Sequence, residues 1–256
     1  MMRVMSFNVL CGGKGKNYWT TRKDMVVSVI KKYDPDTFGL QEAHYRWMNA
    51  LCAGLPEYDY VGVGRDNGKR LGEFSPVFYK KDKFEVVSTG NFWLSETPET
   101  AGSKGWDAVC VRICSYAVLR DKKTKKEFAH FNTHLDHKGQ TAMSEGAKLI
   151  AKRAGEIKNV PVIVTGDFNV MPESEPYKQM INAGFSDTRD CAEMTDDCYT
   201  FHAFDIPIRD GECTREIIDF IFERGVKSVK EFRVITDKFG DRYPSDHYPV
   251  IADIEL

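Results

Sequence analysis

The amino-acid sequence predicts an α/β fold in which two β-sheets pack face to face and helices cover their outer surfaces. Short strand-like segments recur along the whole chain, and amphipathic helical stretches interrupt them. There is no internal repeat and no low-complexity tract, which disfavours solenoids and propellers. With 256 residues, 42% hydrophobic and 12% aromatic, the chain can bury one large core, and residues 1–256 are taken as a single domain.

Arg3 to Leu10 alternates apolar and polar residues as a strand does, and Thr20 to Tyr33 gathers Met25, Val26, Val29 and Ile30 on one helical face. After the Asp34-Pro35 breaker comes a short segment, Thr37 to Gln41. A second helix follows from Tyr45 to Leu55, stopped near Gly54 and Pro56. Asp59 to Gly64, Pro76 to Tyr79, Phe84 to Phe92, Ala108 to Arg120 and Glu127 to Leu135 are strand-like, a run that predicts antiparallel pairing. Asp121 to Lys126 reads as the hairpin turn between the last two, its lysines solvated. A helix from Ala142 to Ile157 precedes the short apolar strand Val160 to Asp167, and Ser174 stands where it would cap a short helix through Ile181. Ile217 to Phe222, Lys227 to Ile235 and Tyr248 to Glu255 complete the strands.

A net charge of −2 lacks the strongly basic face of a dedicated duplex-DNA binder and favours a small substrate. Seven cysteines, odd in number and without a CxxC pair, fit free thiols in a reducing compartment. The start of the chain shows no signal-peptide pattern, which points to a cytoplasmic location. No apolar run reaches the roughly 20 residues of a membrane span, and the chain is taken as a monomer.

Polar residues stand at the ends of apolar strands, where a scaffold can aim them into a cleft: Ser6-Phe7-Asn8, Gln41-Glu42, Asn132-Thr133-His134, Gly166-Asp167-Phe168-Asn169 and Ser245-Asp246-His247. Hard cations such as Mg²⁺, or Mn²⁺ in its place, take carboxylate and carbonyl oxygens, which makes Glu42 and Asp246 the candidate ligands. Breaking a phosphate ester also needs an aligned water and neutralisation of the developing charge. Asp167 and Asn169, two apart on an extended segment, would share one side, Asp167 aligning water and Asn169 donating to phosphate. Gly-Asp-x-Asn equally makes an ordinary Asx turn. A histidine acts in such a site when a carboxylate orients it, and the pairs expected are His247 with Asp219 and His134 with Glu73. His44, His130 and His202 read as satisfied structural histidines. His134 and His137 stand three apart but lack a third partner with zinc-site spacing.

In this order SFNVL, LQE, GEFSPVFY, FNTHLD, TGDFN, IDFIF and SDHYPV resemble the endonuclease/exonuclease/phosphatase family, the superfamily of pancreatic-type deoxyribonuclease, sphingomyelinases, inositol-polyphosphate phosphatases and deadenylases. The resemblance spans almost the whole chain. It implies a deoxyribonuclease-I-like four-layered α/β sandwich, two central mixed sheets flanked by helices, with the site at one mouth. It also implies that Asn8 and Glu42 are metal and phosphate ligands, that Asp246 is a metal ligand, and that Asp167 and Asn169 are the water-aligning and phosphate-binding pair. His247–Asp219 and His134–Glu73 match the family's two dyads, the second being typical of deoxyribonuclease-like and sphingomyelinase-like branches. Leu10 stands where the abasic-site repair enzymes carry an acid, so abasic-site cleavage is not implied. The segments Phe92-Trp93-Leu94-Ser95 and Ser103-Lys104-Gly105-Trp106 through Val111-Arg112 resemble bacterial members. Trp93, Trp106 and Arg112 would then shape the substrate pocket by stacking and by holding a phosphate, unless both tryptophans belong to the core.

The expected function is therefore metal-dependent hydrolysis of a phosphodiester by in-line water attack. Phosphomonoester cleavage of a sugar, inositol or nucleotide phosphate is the nearest rival on the same site. Small phosphodiesters, phosphorylated sugars, lipid headgroups and single-stranded nucleic acid are the substrate classes in view. A catalytically silent module binding a phospho-ligand or a protein is the alternative from outside enzymology.

Overall fold

The computed structural model describes residues 1–205, 207–209, 212–213 and 215–256, with Pro207–Arg209 and Glu212–Cys213 described by backbone alone. In chain order the main elements are β1 (Met2–Asn8), α1 (Trp19–Tyr33), β2 (Thr37–Gln41), α2 (Tyr45–Gly54), β3 (Tyr58–Val61), β4 (Val77–Lys80), β5 (Phe84–Trp93), β6 (Ile113–Asp121) and β7 (Glu127–His134). They continue with α3 (Gln140–Glu156), β8 (Val162–Asp167), α4 (Glu175–Asn182), β9 (Asp219–Arg224), β10 (Ser228–Val234) and β11 (Val250–Glu255). One sheet runs β10-β11-β1-β2-β4-β3, with Met194–Thr195 added at the β10 edge. The other runs β9-β8-β7-β6-β5, with Ser186–Asp187 at the β9 edge.

Four layers result, and the period of two along each strand decides them. In β1, Met2 and Val4 point between the sheets to meet Phe128, Ile163 and Ile221. Met5 and Phe7 point outward onto Val26 and Val29 of α1 and Trp47 and Leu51 of α2. On the far side Phe131, Val164 and Phe222 pack against Met143, Ala147 and Ile150 of α3 and Met180 of α4. The mixed sheets arise because β1–β2 and β7–β8 pair in parallel while β6–β7, β8–β9 and β1–β11 pair antiparallel.

Following the inward-facing positions of β1, β2, β7, β8 and β9 from one end to the other, the space between the sheets changes from apolar to polar. Above the apolar layer lie Ser6, Thr37, Gln41, His130, Asn132 and Thr165, all fully buried. Gln41 Nε2 donates to Asn132 Oδ1 (2.7 Å), and Asn132 Nδ2 donates to Leu40 O (2.7 Å) and Pro76 O (3.0 Å), crossing from sheet to sheet. Thr37 gives its hydroxyl proton to Phe78 O (2.7 Å), so His130 Nδ1, 2.8 Å away, must be the donor to Thr37, with Nε2 left to accept from Thr165 (2.9 Å). Burial depresses the His130 pKa to about 3, holding the ring neutral. Between the ordinary histidine range and that value the unfolded chain binds the extra proton, so stability falls as pH drops from about 6.5 toward about 3 and is fully present above. We expect His130→Gln to remove up to about 1.4 kcal/mol per pH unit from the slope of unfolding free energy across that window, read by urea titrations at successive pH values.

Several expectations need correction at their edges. The strand-like run from Asp59 to Leu135 does pair antiparallel, but it divides between the sheets, β3 and β4 in one and β5, β6 and β7 in the other. The Asp121–Lys126 turn is a hairpin with exposed lysines, Asp121 Oδ1 accepting from the Lys123 and Thr124 amides. Residues 108–112 are not strand, because the Asp136 carboxylate draws the Val109 and Cys110 amides (both 3.0 Å) into a turn. Ser174 occupies the start of α4 without making a side-chain cap, and Pro176 removes one of the two N–H groups, its own and that of Tyr177, that the hydroxyl could have met. Cys11, Cys52, Cys110, Cys114, Cys191 and Cys198 are free thiols, and the Cys213 side chain lies outside the described residues.

Candidate active site

The same alternation that buries Val4, Ile163 and Ile221 carries Asn8, His134, Asp167 and Asp219 to the inter-sheet face at one mouth of the sandwich. In the second sheet Asp167 lies opposite His134 on β7 and opposite Asp219 on β9, so the three stand in one row. From the first sheet Asn8 Nδ2 reaches across to Asp167 Oδ2 (2.8 Å) and also donates to Glu42 Oε1 (3.0 Å). Glu42 follows β2 in a left-handed conformation (φ 61°), which turns its carboxylate back over the strand ends. Ser245 Oγ donates to Asn8 O (2.7 Å) and holds the Asp246-His247 turn on β1. Glu42, His134, Asp167, Asp246 and His247 line a cavity of about 390 Å³, together with Arg65, Glu73, Arg112 and Asn169.

His247 Nδ1 lies 2.9 Å from Asp219 Oδ2, the orienting pair expected from sequence. Burial opposes its charge, but Asp219, Asp167 and Asp246 outweigh burial and raise its pKa, so His247 is an imidazolium. Thr200 Oγ1 accepts from the Ile218 and Asp219 amides (both 3.1 Å) and fixes the start of β9 from which Asp219 projects. The Asp167 carboxyl is raised, by burial first and by Asp219 in addition, against the lowering effect of His247. Its Oδ2 is 3.4 Å from His134 Nε2 and 3.8 Å from His247 Nε2. His134 is held neutral, by burial and then by the neighbouring charges of Arg112 and Arg65.

The pair His134–Glu73 does not form. Glu73 Oε2 instead takes Arg65 Nη1 (2.5 Å), and His134 Nδ1 has no hydrogen-bond partner among the described residues. The reason is local: Arg65 N also donates to Glu73 O (3.0 Å), so the loop delivers a permanent cation to that carboxylate, which a neutral imidazole cannot match. Asn169 lines the cavity but is not on an extended segment with Asp167. Its φ is 53°, its amide donates to Asp167 Oδ1 (2.9 Å) and its Nδ2 to Leu135 O (3.0 Å), which is the Asx-turn geometry. Trp93 belongs to the core, 6% exposed, its Nε1 donating to Arg65 O (2.5 Å), and it does not line the cavity; nor does Trp106. Arg112 does line it, 5% exposed, with Nε and Nη1 making no hydrogen bond among the described residues and Nε 4.0 Å from Asp136 Oδ2.

Glu42 and Asp246 fit a hard cation. Glu42 is kept below the ordinary carboxylate range: burial raises it, but the Cys11 amide, Asn8 and His247 more than compensate. Asp246 is raised by burial and by Glu42, and its Oδ1 lies 3.2 Å from Ser245 Oγ, whose proton goes to Asn8 O. Both carboxylates line the one cavity with lone pairs left over, and oxygen donors of this kind are what Mg²⁺ prefers. Asn8 Oδ1 accepts from the Leu10 amide (2.9 Å), which leaves it one lone pair, and its NH₂ bridges Glu42 and Asp167.

Two arginines were not singled out from sequence. Arg65 sits in a glycine-punctuated loop without a motif of its own. Arg22 had a signal, since it lies on the apolar face of α1 three and four residues before Met25 and Val26. It is fully buried, and its guanidinium donates to the carbonyls of Val9 (2.7 Å), Leu10 (2.7 Å), Gly12 (3.3 Å), Asn17 (2.7 Å) and Pro244 (2.8 Å), tying the loop after β1 to the loop that carries Asp246. Arg22→Met strands these acceptors, and we expect a loss of about 3 kcal/mol or more in unfolding free energy by urea denaturation.

The family model described as Endonuclease/Exonuclease/phosphatase family matches residues 5–247, from β1 through His247. The chain belongs to the endonuclease/exonuclease/phosphatase family. Members of this family are hydrolases of phosphoester bonds, and the chain carries their fold. It is similar to the endonuclease/exonuclease/phosphatase protein of Bacteroides vulgatus, with 42% identity, a TM-score of 0.93, and coverage of 100% of this chain and 98% of that one. It is similar also to the mannosyl-6-phosphatase of Bacteroides thetaiotaomicron, with 37% identity, a TM-score of 0.92 and full coverage of both chains. Among curated relatives, mouse nocturnin is 26% identical over the whole of this chain, which spans 66% of nocturnin's length. Among the described residues no helix is long and apolar enough to cross a membrane.

Proposed function

We propose that the chain is a divalent-metal-dependent phosphoesterase that hydrolyses a small phosphate monoester, a phosphorylated sugar first among candidates, by in-line water attack. The observation that carries the reading is the cavity itself. In about 390 Å³ it gathers a carboxylate pair suited to Mg²⁺, a carboxyl base, an imidazolium and a buried guanidinium with free donors. Similarity to a mannosyl-6-phosphatase and a net charge of −2 support a small substrate over duplex nucleic acid.

Glu42 and Asp246 would hold the metal, which when bound polarises a phosphoryl oxygen and neutralises its charge. Asp167 accepts the proton of the attacking water, its raised pKa matching it to neutral pH, while Asn8 and the Asn169 amide fix its orientation. His247, charged and held by Asp219, faces the transferred phosphoryl group and stabilises the transition state. Arg112 offers its Nη1, which makes no hydrogen bond, to phosphate oxygens while Nε stays near Asp136, and desolvation strengthens the contact.

The test is a panel of mannose 6-phosphate, inositol phosphates, nucleoside monophosphates, single-stranded DNA and RNA, assayed with Mg²⁺, with chelator and with Asp167→Asn. Chelator-sensitive phosphate release from a monoester, lost in the variant, is expected. Turnover confined to DNA or RNA would replace the monoester reading by a nuclease, and no turnover with intact phosphate binding would leave a silent phospho-ligand module.

A further inference from the structure

Beside the catalytic cavity, and sharing Arg65 and Glu73 with it, lies a second groove of about 480 Å³. One wall is the loop that carries Arg65, Asp66 and Arg70. That loop is built rigid: Gly64 N donates to Lys69 O, Asp66 N donates to Leu71 O, and Asn67 Oδ1 accepts from the Lys69 and Leu71 amides. Gly72, at φ 83°, lets the chain pass the Asp66 carboxylate, where a Cβ would come within 2.5 Å. The opposite wall is His44, Tyr45 and Arg46 at the start of α2, joined by Trp19 from α1. The Arg70 guanidinium lies 4.9 Å over the Tyr45 ring and spans the walls, and His44 braces the Trp19 ring edge-on at 5.1 Å.

The charge in this groove is unbalanced. Its arginines, Arg46, Arg65 and Arg70, face only Asp66 and Glu73, and Glu73 is committed to Arg65. Arg46 and Arg70 are exposed and make no ion pair with a carboxylate among the described residues. Surplus cations clustered beside an acidic metal site, in a chain of net charge −2, repel one another unless an anion joins them. A neutral sugar would recover none of that cost, whereas a phosphate or carboxylate is matched by the guanidinium fork.

Resting on the phosphoesterase reading above, we propose that this groove is a specificity subsite for a second anionic group, carried on the same molecule as the scissile phosphate ester. The ring that joins the two anions lies against Trp19 and Tyr45, whose faces suit a sugar or a base.

The test compares mannose 6-phosphate with glucose 1,6-bisphosphate as a sugar pair, and adenosine 5′-monophosphate with adenosine 3′,5′-bisphosphate as a nucleotide pair. Each is assayed with the native protein and with the double variant Arg46→Ala/Arg70→Ala. The bisphosphate of one pair should be preferred at least about tenfold in kcat/KM, through KM, and the variant should erase that preference while keeping monophosphate turnover. The preferred pair names the source of the anion. Equal kcat/KM within both pairs, or a preference that survives the double substitution, overturns the subsite while leaving the phosphoesterase in place. If no ester is turned over, the phosphoesterase reading fails by itself. Isothermal titration calorimetry with each bisphosphate then decides the groove: weaker binding by at least about tenfold in the double variant upholds it, and equal binding removes it.

Discussion

Asp167→Asn should lower kcat about 10³-fold while the melting temperature stays within a few degrees of native. Asparagine keeps the shape of the side chain but cannot take a proton from water. The structural consequences oppose one another. The buried carboxylate is raised above its unfolded range by burial and by Asp219, so in its ionised form it costs stability at neutral pH, a cost absent below the unfolded carboxylate range and growing as pH rises toward the raised value. Asparagine removes that cost but can serve only one of the two donors, the Asn8 amide and the Asn169 N–H, that the carboxylate serves now. Steady-state kinetics and thermal unfolding on the same preparation read both effects. A loss below about tenfold in kcat would remove Asp167 from the role of base.

Glu42→Gln should act on the metal rather than on the proton. Native protein should melt higher in Mg²⁺ than in chelator, because an ion that binds only the folded state stabilises it by mass action. The variant should lose most of that increment, require at least about tenfold more Mg²⁺ for half-maximal rate, and turn over about 10²-fold more slowly. The carboxylate is otherwise anchored by Asn8 Nδ2 on Oε1 and by the Cys11 amide (2.9 Å) on Oε2, and a glutamine keeps only one of these two bonds, so a loss of about 1–3 kcal/mol in stability is expected beside the metal effect, without loss of the fold. Turnover in chelator equal to that in Mg²⁺ would take the metal out of the mechanism.

The layers and most of the mouth were legible because both rest on the period of two. Once β1, β2, β7, β8 and β9 are recognised as strands, their inward residues and the polar residues closing them follow from parity alone. Distances across the mouth are not encoded that way. Glu73 and His134 belong to different strand systems, and only the loop through Arg65 decides that Glu73 meets a guanidinium instead. Asn169 was named and does line the cavity, but its conformation was open between an extended position and an Asx turn, because a left-handed residue after a strand leaves no mark in the sequence that separates the two. Trp93 lies where its ring is buried and its indole N–H is used internally, so its aromatic character said nothing about stacking. Arg112 was found through the resemblance of its segment to bacterial family members and not through its local structure, since residues 108–112 had been read as strand.

The polar floor of Thr37, Gln41, His130, Asn132 and Thr165 has a consequence for how the protein can change. Glu42 is fixed to one sheet and Asp167 to the other, and the hydrogen bonds below them, together with Gly39, whose Cβ would lie 2.2 Å from both Asn132 Oδ1 and Thr165 Oγ1, set how far apart the sheets stand. The gap between Glu42, the proposed metal ligand, and Asp167, the proposed base, is therefore determined in the foundation and not at the rim. Loops such as the one bearing Arg65 and Arg70 can be exchanged, lengthened or recoded to accept a different ester while the reacting geometry is inherited unchanged, so selectivity and chemistry are free to evolve as separate traits.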